Sequence, residues 1–201
     1  MKKVVIYIHG KGGNVQEAEH YRNLFVGCDV VGFDYKSQTP WEANKEFSDF
    51  FDNISLKYDS VQIVANSIGA YFSIGALQNK KIDKAFFISP IVNMEKLILD
   101  MMDWAGVSKE QLRNQKEIET SFNETLSLEY LCFVEKQKIK WKVPTHILYG
   151  EKDNLTSIET ISEFAKKTRA TITILKGGEH WFHTKEQMDF LDKWIEQYSK
   201  V

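Results

Sequence analysis

The chain has 201 residues, 43% hydrophobic and 27% charged, which suits one ordinary globular domain with a single core and is short for two. Its 26 basic and 28 acidic side chains leave a formal charge of −2, excluding the electrostatic footprint of a nucleic-acid or anionic-membrane partner.

Met1-Lys2-Lys3 ahead of Val4-Val5-Ile6-Tyr7-Ile8 imitates the start of a signal peptide. The apolar run stops at His9-Gly10-Lys11-Gly12-Gly13, short of the ~7–15 residues a secretory core needs, so a buried first strand over Val4–His9 explains it better. No later stretch approaches the ~20 apolar residues of a membrane span, and a cytoplasmic location is expected by default. Further apolar runs follow at Val30–Tyr35, Val61–Asn66, Ala85–Ser89, His146–Tyr149 and Thr171–Leu175. Most are β-branched or aromatic and nearly continuous, as in strands of a parallel sheet buried on both faces.

Helical spacing fills the intervals Trp41–Lys57, Gly69–Gln78, Ser157–Thr168 and Thr184–Tyr198; in the last, Met188, Leu191, Trp194, Ile195 and Tyr198 form one apolar stripe. Alternating strands and helices predict an α/β sheet with right-handed crossovers. From Ile91 to Lys142 no strand is evident, only helix-like segments at Met94–Met102, Lys109–Ile118 and Ser127–Lys136. A helical insertion is more economical there than a long structureless loop, so a single domain over 1–201 with an insertion at about 91–142 is expected. Cys28 and Cys132 are far apart, lack metal-type spacing and read as free, buried thiols rather than a disulfide.

Three separated segments carry chemistry: Ala65-Asn66-Ser67-Ile68-Gly69, Tyr149-Gly150-Glu151-Lys152-Asp153 and Gly177-Gly178-Glu179-His180. A serine hydroxyl is a poor nucleophile near neutral pH and needs a base, itself oriented by a third group. Ser67 lies between a strand and a helix, His180 follows a glycine turn, and Asp153 lies just past a strand. Blander readings exist for each. Ser67 can cap a helix, Asp153 can belong to a solvated turn with Glu151 as a second carboxylate, and His183 competes with His180 for the base.

The order Ser…Asp…His, with small residues two before and two after the serine, resembles the alpha/beta-hydrolase superfamily. Ala65 departs from the glycine common at its position. The resemblance covers essentially the whole chain. It implies a three-layer alpha/beta-hydrolase fold with a mostly parallel six-stranded sheet, strand order 2-1-3-4-5-6, the site at the strands' carboxyl ends, and the insertion as a helical cap. It further implies Ser67 as nucleophile, His180 as general base and Asp153 as its orienting acid. His9-Gly10-Lys11-Gly12-Gly13 matches the family's His-Gly oxyanion loop, with backbone N–H groups of Lys11 (Gly12 as alternative) and Ile68 as donors. This loop lacks the patterns of a P-loop or a dinucleotide site.

Gly12, Trp104, Trp181 and His183 are candidates to line the substrate pocket, as are Phe122, Tyr130 and Phe133. No His, Cys and carboxylate cluster has metal-ligand spacing, so no metal or other cofactor is expected. The expected activity is a serine carboxylesterase on small uncharged esters. A thioesterase, an amidase or a non-catalytic binder on the same scaffold are the alternatives.

Overall fold

The structure, a computed structural model, describes residues 1–199. In chain order the elements are β1 (Lys3–Ile8), a 3-10 turn (Val15–Glu17), α1 (Ala18–Tyr21), β2 (Asp29–Gly32), α2 (Pro40–Ser55), β3 (Ser60–Asn66), α3 (Ile68–Ala76), β4 (Lys84–Ile88), α4 (Met94–Ala105), α5 (Lys109–Gln115), β5 (Glu117–Glu119), β6 (Thr125–Ser127), α6 (Leu128–Lys136), β7 (Thr145–Gly150), α7 (Ile158–Thr168), β8 (Thr171–Leu175) and α8 (Lys185–Ser199). Six of the strands form one parallel sheet in the order β2-β1-β3-β4-β7-β8, the order expected from the resemblance.

The sheet is covered on both faces. Val4, Val5, Ile6 and Ile8 of β1 and Ile63, Val64 and Ala65 of β3 are fully buried, which is why these segments read as continuous rather than alternating apolar runs. On one face Val5, Tyr7, Val64, Phe86 and Leu148 pack with Ala18 and Tyr21 of α1 and Leu191, Trp194 and Ile195 of α8. On the other, α2 and α3 lie together over β3, and Phe47 and Phe72 meet edge-to-face at 6.1 Å between ring centroids. The start of α2 is fixed locally: Thr39 and Glu42 form a capping box, and Pro40 takes a first-turn position where no N–H is needed.

Register places the site. Ile8 pairs with Ala65, Asn66 with Ile88, Ile88 with Leu148, and Gly150 with Leu175. The loops carrying His9, Ser67, Glu151 and Lys176 therefore leave the same edge of the sheet, at the strands' carboxyl ends.

Contacts divide the chain into two compact units. One comprises Met1–Val92 with the chain from Lys140 onward; the other is Asn93–Ile139, the segment between β4 and β7. The second unit holds three helices with side-chain caps at Asn93, Ser108 and Ser127. It also holds an antiparallel hairpin, β5 with β6, where only helices were expected. Lys116, at φ 69°, ends α5 before the expected limit at Ile118, and the next three residues turn into the hairpin. The run expected to be a strand over Val30–Tyr35 leaves the sheet after Gly32, because Phe33 and Tyr35 pack into an aromatic cluster with Phe47, Phe50 and Phe72. Cys28 and Cys132 are free thiols as expected, but both are half-buried rather than buried. Among the described residues no helix is long and apolar enough to cross a membrane.

Candidate active site

Ser67 sits between the last residue of β3 and the first of α3 with φ 48° and ψ −118°, a conformation that a side chain rarely adopts and that must be held from outside. Three backbone bonds hold it. Its N–H donates to the Ile88 carbonyl at 3.1 Å, and its carbonyl accepts from the N–H groups of Ala70 and Ile91, each at 3.1 Å. A Cβ at Gly69 would collide with the His9 carbonyl oxygen and sit 2.9 Å from that of Ile8, so only glycine fits where α3 starts against the end of β1. Ala65, two residues before the serine, is fully buried and its methyl is accommodated.

His180 follows β8 and the Gly177-Gly178 turn, where Gly177 has φ 70°. Its Nε2 lies 2.9 Å from Ser67 Oγ, and its Nδ1 lies 2.7 Å from Asp153 Oδ2. A carboxylate only accepts, so Nδ1 carries the proton and Nε2 is left to accept from the serine hydroxyl. The Asp153 side chain is 0% exposed and that of His180 15%, so both contacts are shielded from bulk water. The other carboxylate oxygen, Oδ1, accepts from the N–H groups of Leu155 (2.8 Å) and Thr156 (3.0 Å), which fixes the plane of the carboxylate.

The loops bearing the acid and the histidine are laced together. Glu151 N–H donates to the Leu175 carbonyl at 3.0 Å, Lys152 N–H donates to that of Gly178 at 2.7 Å, and Gly177 N–H donates to Glu151 Oε2 at 2.8 Å. Glu151, the competing carboxylate, is thereby occupied as a clamp. A Cβ at Gly150 would collide with the Glu179 carbonyl oxygen, so this glycine permits the approach. His183, the competing base, is not part of the relay. Its ring stacks on Trp181 at 4.5 Å, and its Nδ1 lies 2.8 Å from the Trp181 carbonyl oxygen.

The loop after β1 lies against the serine. A Cβ at Gly10 would be 3.3 Å from that of Ser67. Gly13 N–H donates to the Gly10 carbonyl at 3.1 Å with Gly12 at φ 77°, so Lys11 and Gly12 are the central pair of a turn requiring positive φ at its second position. Tyr35 anchors the loop: its ring stacks on His9 at 4.3 Å and its hydroxyl donates to the His9 carbonyl at 2.8 Å. Ile68 N–H, at the first position of α3, has no acceptor within the helix and lies at its positive end.

The structure therefore brings together Ser67, Asp153 and His180, with Ile68 and the Gly10–Gly13 loop beside the serine. Trp181 neighbours His180 and is 73% exposed. Trp104 belongs to the second unit, is 53% exposed and packs edge-to-face on Phe122. Sequence reasoning missed the Tyr35 anchor and a hydrogen-bonded group formed by Tyr7, Glu17 and Asn66. Its one local signal is Asn14-x-x-Glu17, a capping-box spacing. Among the described residues no group of three or more His, Cys, Asp or Glu side chains is arranged to hold a metal ion.

Superposition on solved structures decides the architecture. Est1E from Butyrivibrio proteoclasticus matches with a TM-score of 0.79 at 15% identity, over 98% of this chain and 86% of that one. The fold is that of the alpha/beta hydrolases. Mouse alpha/beta hydrolase domain-containing protein 10 matches this hydrolase fold with a TM-score of 0.77 at 15% identity, over 96% of this chain and 88% of that one. An esterase of Pyrococcus furiosus matches with a TM-score of 0.61 at 18% identity, over 100% of this chain and 81% of that one. Est1E is also known with ferulic acid bound. No protein-family model matches the sequence, and no curated protein matches it.

Proposed function

We propose that this hydrolase-fold chain is a serine hydrolase acting as a carboxylesterase on small uncharged esters. The observation that carries the reading is the relay itself: Ser67 Oγ to His180 Nε2 at 2.9 Å and His180 Nδ1 to Asp153 Oδ2 at 2.7 Å, on a serine held at positive φ. Ser67 Oγ attacks the ester carbonyl carbon while His180 Nε2 takes its proton. The carbonyl oxygen becomes an oxyanion, held by the N–H groups of Ile68 and Lys11, each contributing about 3–4 kcal/mol in the transition state. As the intermediate collapses, the imidazolium returns the proton to the departing alkoxide and an acyl-Ser67 remains. Water then attacks the acyl carbon with His180 again as base, releasing the acid and restoring the serine. Asp153 holds the ring in the required tautomer and stabilises the imidazolium.

Trp181 and His183, stacked beside His180, and Gly12 are assigned to the substrate rim. An ester is favoured over a thioester or amide because the structural neighbours include a named esterase and a complex with an aromatic carboxylic acid. Steady-state hydrolysis of p-nitrophenyl acetate tests the proposal. Turnover is expected to vanish in Ser67→Ala and in His180→Ala. A rate that survives either substitution contradicts it.

A further inference from the structure

Behind the relay, and taking no part in it, runs a second line of hydrogen bonds. Tyr7, next to last in β1, is 1% exposed. Its hydroxyl donates to Glu17 Oε2 and accepts from Asn66 Nδ2 at 2.8 Å. These directions are forced: an ionised carboxylate only accepts, and a phenol has one proton to give. Burial pushes the Tyr7 phenol far above its ordinary value, so it remains a donor at every working pH. The second carboxylate oxygen, Glu17 Oε1, accepts the N–H of Asn14 at 3.3 Å, just past the Gly10–Gly13 loop. Gly13 lies flat on the same carboxylate, where a Cβ would sit 3.1 Å from each oxygen.

A capping box occupies one carboxylate oxygen. Glu17 uses its other oxygen inward, on a buried tyrosine whose next partner is Asn66. Asn66 immediately precedes Ser67. The line Asn14 N–H, Glu17, Tyr7 hydroxyl, Asn66 amide thus joins the loop after β1 to the strand end that carries the serine.

We infer that Tyr7 and Glu17 are positioning residues that set the spacing between the two arms of the oxyanion site, the Gly10–Gly13 loop and the Ser67 elbow. The inference rests on the serine hydrolase reading. Oxyanion donors act only when aimed at the place where charge develops, and a displacement of about 1 Å can cost about a hundredfold in rate. Neither residue touches substrate.

The test compares p-nitrophenyl acetate kinetics, their pH profile and thermal midpoints for the wild type, Tyr7→Phe, Glu17→Ala, Glu17→Gln and Ser67→Ala. Tyr7→Phe and Glu17→Ala are expected to lower kcat by about 10- to 100-fold with KM and the pH midpoint unchanged, because the His180–Asp153 pair is untouched. Glu17→Gln keeps an acceptor oxygen for one of the two donors while its amide NH2 faces the other, and it is expected to recover part of the loss. If Tyr7→Phe and Glu17→Ala turn over like the wild type, whatever their thermal midpoints, the line is structural only and the inference is wrong. Should Tyr7→Phe not fold, the contrast between Glu17→Ala and Glu17→Gln decides by the same criterion. Ser67→Ala separates the two levels: if it is as active as the wild type, the hydrolase reading fails and this inference with it.

Discussion

Asp153 and Glu151 are two residues apart on one turn, and the sequence alone leaves both open as the acid. What separates them is where each carboxylate points: Asp153 to His180 Nδ1, Glu151 to the N–H of Gly177. Side-chain direction in a turn depends on what packs on the other side, here the loop from β8, and no local pattern encodes that. Asp153→Asn keeps the shape but presents an amide that can donate, which favours the wrong imidazole tautomer. Its kcat is expected to fall by about 10³–10⁴-fold with little change in thermal midpoint, read by steady-state kinetics and a melting curve. Gly69 makes the opposite kind of demand, set by sterics. Gly69→Ala drives a methyl into the His9 carbonyl and is expected to cost at least about 1–3 kcal/mol in urea denaturation. The glycine of the Ser-x-Gly pattern was legible for this reason, since close approach admits only one residue type.

At the scale of elements, β7 carries a histidine that titrates with folding. The His146 ring stacks on Tyr198 of α8 at 4.1 Å, and its Nδ1 lies 2.7 Å from Thr171 Oγ1 of β8. Burial, and then the Lys84 charge, push its pKa below the ordinary value. An unfolded histidine protonates near pH 6.5, while the folded one resists until lower pH. The stabilisation is therefore complete above about pH 6.5 and is lost as pH falls from there through the folded value. The urea midpoint is expected to drop more steeply between about pH 7 and 5 in the wild type than in His146→Phe, which keeps the ring stack without the titration. Equal slopes would remove His146 from that dependence. His146 falls inside an apolar run, and nothing in that run signals its half-exposed position near the sheet edge or its partners Thr171 and Tyr198. Short elements were illegible for a related reason. The β5–β6 hairpin has three-residue strands, and α1 spans a single turn, too little chain for either period to register.

For the molecule as a whole, the sheet was the legible part, because burial on both faces writes itself as apolar runs bounded by turn residues. The strand order followed from resemblance rather than from any run. Phe86, fully buried in β4, marks where the two ends of the chain meet: it packs edge-to-face with Phe25 at 5.4 Å and with Trp194 of α8 at 5.7 Å. Phe86→Ala is expected to cost about 3–5 kcal/mol by denaturant titration, since a central sheet position can relax little. A loss below about 1 kcal/mol would mean that the α8 face is not cooperative with the sheet.

The central claim is that this fold activates one serine. Labelling with a fluorophosphonate probe, followed by intact mass and peptide mapping, tests it most directly on the wild type, Ser67→Ala and His180→Ala. The expected result is a single adduct on Ser67, absent from both variants. A folded wild type that takes no label, or an adduct that persists in His180→Ala, would contradict the account.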